Sequence, residues 1–167
     1  MHLISANIDK LKTLYITELQ KALDLEQKIV KALPDMIKAA NNQELVKGFE
    51  THLQQTKGHA SKVEGLLREH TGNAKTQTCK VIDALVAEAQ QTIKDVTQPE
   101  VRDVALIRAA QQVEHHEIAV YGGLRRWAAI LELAQDATTL KSIEAEEGQT
   151  DQLLSKMAES INQMAHA

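Results

Sequence analysis

Apolar residues recur at Leu106, Ala110, Val113, Val120, Leu124, Trp127 and Leu131, alternately four and three positions apart, and the one missing member of that series is Glu117. This is the spacing of a helix face buried against its neighbours. A carboxylate in the middle of such a face is costly unless a proton, a cation or a metal compensates it. Glu114 lies one turn earlier, with His115 and His116 between the two acids. Whatever this chain folds into has to bring a partner to Glu117, so the search is for polar residues at the same depth on other segments.

Those segments read as helices. Two prolines and seven glycines are too few for the punctuation of an all-β fold, and aromatics at 2% leave a core of Leu, Ile, Val, Ala and Met. A first helix is expected from about Leu3 to Ala40, with Ile8, Leu11, Tyr15 and Ala22 on one flank and Leu19, Leu23, Val30, Leu33 and Ile37 on the next. Glu26 sits on that second stripe, and Pro34 predicts a kink or a new first turn. The second helix runs from about Gln43 to His70 on Leu45, Phe49, His52, Thr56, His59, Val63 and Leu66, with Gly58 marking a close approach or room for a ligand. A shorter helix, Thr78 to about Val96, is followed by a long one from about Glu100 to Leu133. After a break around Gln135 to Ala137 the last reaches about Met164, its stripe interrupted by Glu147 and Thr150. Residues 1–167 then form a single all-α domain, an up-down four-helix bundle of two hairpins with a short crossover helix between them.

The hairpins echo one another. Glu26 to His59 and Glu117 to Thr150 both span 33 residues, and Glu26 to Thr56 and Glu117 to Glu147 both span 30. At about 1.5 Å of rise per residue these positions share one depth. Carboxylates and an imidazole arriving from four helices are what a dinuclear metal site in a bundle uses: one Glu from each of two helices and a Glu-x-x-His from each of the others. Here both Glu-x-x-His motifs are broken, reading Thr56-x-x-His59 and Glu147-x-x-Thr150, with Asp151 as a stand-in. The bland alternative is buried ion pairs or protonated acids. His52 reads as a rim residue or one that supports a ligand from behind, His70 as a helix C-terminal residue, His115 and His116 as partly solvated, and Arg125, Arg126 and Lys141 as a solvated face.

Other chemistries are excluded. There is no Gly-rich phosphate loop after a strand, no Cys-x-x-Cys, and no Ser/His/Asp set in a strand-turn-helix context. Basic and acidic residues are interspersed, which argues against a nucleic-acid surface. A single cysteine, Cys79, rules out an intramolecular disulfide, and no apolar run is long enough for a membrane span or a signal peptide. The expectation is a soluble cytoplasmic protein.

Four runs, LYITELQKALDLEQKIVKALPDM, HLQQTKGHASKVEGL, VRDVALIRAAQQVEHHEIAVYGGL and EEGQTDQLL, resemble the YciE/YciF family of ferritin-like proteins over nearly the whole chain. The resemblance implies a ferritin-like bundle, a homodimer, a link to bacterial stress responses and a dinuclear iron site. It places Glu26 on the family's Ala-Glu-Lys-Gln run, Glu114 and Glu117 on its Val-Glu-His-x-Glu run, and Glu147 and Asp151 on its fifth-helix motif. Gln54 and Gln55 stand where the family reads Glu, which removes two carboxylates. The expected metal set is therefore Glu26, His59, Glu114, Glu117, Glu147 and Asp151, holding one or two ions of iron or manganese, with Fe(II) oxidation by oxygen or peroxide as the implied activity. The competing expectation is a metal-free stress protein acting through dimerisation or partner binding.

Overall fold

Each helix begins and ends where local chemistry dictates. The computed structural model describes Ile8 and residues 10–166. Five helices follow in order: α1 Leu11–Ala39, α2 Gln43–Thr71, α3 Lys80–Asp95, α4 Pro99–Ile130 and α5 Ala134–Met164. The Asn42 side chain accepts from the backbone N–H groups of Glu44 and Leu45 at 2.9 and 3.2 Å, capping α2. Gly72, at φ +73°, closes the other end, where the left-handed region suits a residue without Cβ. Pro99 opens α4, where a missing N–H costs nothing.

Among the described residues there is no strand, and the architecture is the expected all-α one, a four-helix bundle with α3 as the crossover. α1 lies along α2 and α4 along α5; the two hairpins close through α2 against α5 and α1 against α4, and α3 packs over α1 and α4. Two side-chain ties fix the directions. Tyr15 near the start of α1 donates to Asp136 at the start of α5 at 2.6 Å, and Asp103 at the start of α4 accepts from the N–H groups of Asn41 and Asn42 just after α1, at 2.7 and 2.8 Å. α1 and α5 therefore point one way, α2 and α4 the other.

Three expectations need correcting. The stretch Gln135 to Ala137 is not a break: it forms the first turn of α5, and the chain reverses earlier, at Leu131 to Leu133. Glu132 takes the positive φ there, 60°, so no glycine marks the turn. α1 continues through Pro34 as one helix, so no new first turn begins there, and its described part starts at Leu11; the portion expected from Leu3 to Asn7 lies outside the described residues. Gly58 is exposed, with no heavy atom within 4 Å of where a Cβ would sit, so it marks neither a close approach nor a ligand space.

The core is divided. One apolar cluster gathers Leu25, Ile29, Leu33, Leu45, Phe49, Leu106 and Leu154; the other gathers Leu19, Leu23, Val63, Leu67, Leu124, Leu140 and Ile143. On α2, α4 and α5 the buried residues between these two sets are polar, and on α1 Glu26 sits next to Leu25 where the sets meet. Two apolar clusters thus flank a polar waist.

Candidate metal centre

The waist is built by helical periodicity. On α2, His52, Thr56 and His59 continue the face that carries Leu45 and Phe49 above and Val63 and Leu66 below, and all seven are buried. Glu26 of α1, Glu114 and Glu117 of α4, and Glu147 of α5 occupy the same depth, none more than 1% exposed. One donor atom from each of His52, Glu114, Glu117 and Glu147 lies within 4.8 Å of the others, and the same holds for Glu26, His59 and Glu147. Glu147 belongs to both groups. Its Oε1 is 2.8 Å from His59 Nδ1, while its Oε2 is 4.0 Å from His52 Nδ1.

Partners outside the waist orient these groups. Glu146, at the edge of α5, accepts from His59 Nε2 at 2.9 Å and from Lys62 at 3.1 Å. If the Nε2 proton serves that bond, the Nδ1 lone pair of His59 faces Glu147 and Glu26, the arrangement a carboxylate imposes on a metal-binding imidazole. Burial raises the Glu146 carboxyl, but His59 and Lys62 outweigh it and hold it below its ordinary value. On the other side Tyr121, fully buried, donates its hydroxyl to Glu26 Oε1. His52 Nε2 is 3.1 Å from Glu114 Oε1.

This packing leaves much unsatisfied. Among the described residues, ten buried side-chain N or O atoms lack a hydrogen bond, and nine are in the waist: Glu26 Oε2, both ring nitrogens of His52, His59 Nδ1, Glu114 Oε2, and both oxygens of Glu117 and of Glu147. Some approach one another closely, as His59 Nδ1 and Glu147 do, yet without the alignment of a hydrogen bond. Protonation is the response available to the chain alone. Burial, with Glu147 beside it, pushes Glu26 up to about 8. Burial and Glu147 likewise lift Glu114 to about 10, and burial with Glu26 close by carries Glu117 well above the carboxyl range. For His59 burial acts downward, but Glu147 and Glu26 overcome it and raise the ring to about 8; His52, with burial dominant, is lowered.

Of the six expected ligands, five meet in the waist. Asp151 stands aside, half-buried, accepting from Gln111 at 3.1 Å and lying 3.4 Å from His115. His52 is the residue that sequence reasoning placed at the rim or behind a ligand and that the fold places among the donors themselves. Its signal was present: it is two helical turns from His59 on the same stripe. Thr56 and Thr150, at the broken motif positions, turn their hydroxyls back to their own helices, bonding the carbonyls of His52 and Glu146 at 2.8 and 3.2 Å. Gln54 is exposed and Gln55 half-buried, so the first of these amides lies away from the waist. The donors present are four carboxylates and two imidazoles, the same complement that a four-helix dinuclear site draws from two Glu and two Glu-x-x-His motifs, redistributed among the helices.

Comparison with known proteins places this geometry in a family. Residues 10–167 match the family model described as Domain of unknown function (DUF892). Protein YciF of Escherichia coli K12 is 32% identical over 161 residues, covering 95% of this chain and 97% of its own. The crystal structure of that E. coli stress protein superposes with a TM-score of 0.89 at 31% identity, over 93% of this chain and 99% of the other. YcfI of Rhodopseudomonas palustris gives 0.87 at 31% identity, over 92% and 98%. The bundle, its crossover and its sequence together make this chain a member of the DUF892 family, similar throughout to YciF.

Proposed function

We propose that this protein is a stress-related bundle protein that holds two divalent transition-metal ions, iron or manganese, in its waist. Glu26, His59 and Glu147 face one position; His52, Glu114, Glu117 and Glu147 face the other. The observation that carries this reading is the concentration of unsatisfied buried donors at one depth: among the described residues, nine of the ten unpaired buried side-chain N and O atoms lie there. Four carboxylates also balance the charge of two divalent ions, which offsets the cost of burying either set alone. Oxygen and nitrogen donors without thiolates suit iron and manganese. Asp151 would act at most from outside, through Gln111 and His115.

A finer reading makes Fe(II) the substrate. Two Fe(II) each give one electron to dioxygen, which takes up two protons and leaves as hydrogen peroxide; the carboxylates favour the trivalent product. The other reading is a metal-free protein, acting through a homodimer or another partner, with its acids protonated. On this reading burial, with Glu147 nearby, raises Glu26 and Glu114 and keeps them protonated.

Metal analysis after anaerobic loading with Fe(II) or Mn(II) separates these. Close to two equivalents are expected, falling below one for Glu117→Ala. Uptake below about a tenth of an equivalent would remove the metal reading, and Glu117→Ala would then raise thermal stability by deleting a buried acid.

A further inference from the structure

A narrow cavity of about 30 Å³ opens between α1, α3 and α4 and ends on the waist. Its walls are Leu33 of α1, Ala89 and Ile93 of α3, and Ala110 and Val113 of α4, while its outer rim carries the exposed Asp35 and Gln90. At the inner end the lining changes character. His52, 4% exposed, and Glu114, 1% exposed, are the polar groups there, and both ring nitrogens of His52 and Glu114 Oε2 lack hydrogen-bond partners.

Size and lining select the occupant. A space of this order admits a molecule of two or three heavy atoms, and apolar walls keep such a cavity dry. An ion would lose its hydration along those walls without compensation, so cations and anions are disfavoured. A small uncharged molecule loses little. We propose that this cleft is a binding and entry site for an uncharged molecule of the dioxygen class, delivering it to the waist at His52 and Glu114 while metal ions enter elsewhere. The proposal rests on the metal-binding reading for what the molecule meets on arrival. Its consumption there takes two electrons from two Fe(II) and two protons per dioxygen, and releases hydrogen peroxide.

The test uses the full chain. Crystals pressurised with xenon, a probe for small apolar gases, should show it between Leu33, Ala89 and Ala110. Ala110→Val and, on the less deeply packed crossover helix, Ala89→Leu should each abolish xenon occupancy and leave anaerobic Fe(II) stoichiometry unchanged. Both should slow Fe(III) formation on mixing with dioxygen by roughly tenfold, the factor that about 1.4 kcal/mol of added barrier gives. Xenon absent from the cleft, or filled variants that oxidise Fe(II) at the rate of the unaltered protein, would overturn the proposal. Xenon in the cleft of a protein that takes up no Fe(II) would support the gas site and sink the metal reading instead.

Discussion

Two of the places where this bundle buries polar groups, one near its end and one at its waist, solve the same problem differently. Near the start of α1, Asp136 accepts from Tyr15 and from His70 Nε2, both at 2.6 Å, and His70 Nδ1 faces Lys12 at 3.1 Å. Every member has a partner within the chain; burial and the adjacent carboxylate keep the Tyr15 hydroxyl protonated. In the waist, by contrast, four carboxylates and two imidazoles crowd together with nine atoms unsatisfied. The first cluster is closed and serves to pin α1, α2 and α5 together. The second leaves buried donors without partners among the described residues, and that difference is what the metal-binding proposal rests on.

pH should separate them most strongly. Carboxyls raised in the fold bind protons that the unfolded chain releases, so their contribution is complete below the ordinary value of 4.5 and is lost as pH rises through about 8 for Glu26 and about 10 for Glu114. His59, raised to about 8, acts in the same direction. The metal-free protein should therefore lose thermal stability steadily across this window. The metal-loaded protein, whose acids are already ionised, should show a much flatter profile by calorimetry.

Breaking the closed cluster should have the next largest effect. Asp136→Ala leaves the Tyr15 hydroxyl and His70 without their acceptor and should cost about 2–3 kcal/mol in denaturant unfolding. Metal stoichiometry should not change. Tyr121→Phe tests the border of the open cluster: losing one donor to Glu26 should lower folded stability by about 1 kcal/mol and metal affinity by roughly tenfold, as for other groups that orient ligands. Smallest of all, Gly58→Ala should stabilise the exposed face of α2 by about 0.5–1 kcal/mol and leave metal uptake alone.

The waist was legible in the sequence to the extent that helical periodicity reaches. Glu117 replaces one member of an apolar series, and the matched 30- and 33-residue spacings bring Glu26, His59 and Glu147 to its depth. Periodicity does not say how far round a helix the polar face extends. That is why His52 looked peripheral, and why Asp151, one turn beyond Glu147, looked central. The closed cluster was not legible, because Tyr15 and His70 lie 121 and 66 residues from Asp136 and nothing local links them. The reversal at Glu132 escaped for a different reason, since its positive φ falls on a residue with no turn preference.

Anomalous diffraction at the iron or manganese edge, from crystals loaded anaerobically, addresses the central claim most directly. Two peaks are expected in the waist, one against Glu26, His59 and Glu147 and the other against His52, Glu114, Glu117 and Glu147. A fully loaded crystal with no peak in the waist, or with its metal at Asp136 or on the surface alone, would contradict it.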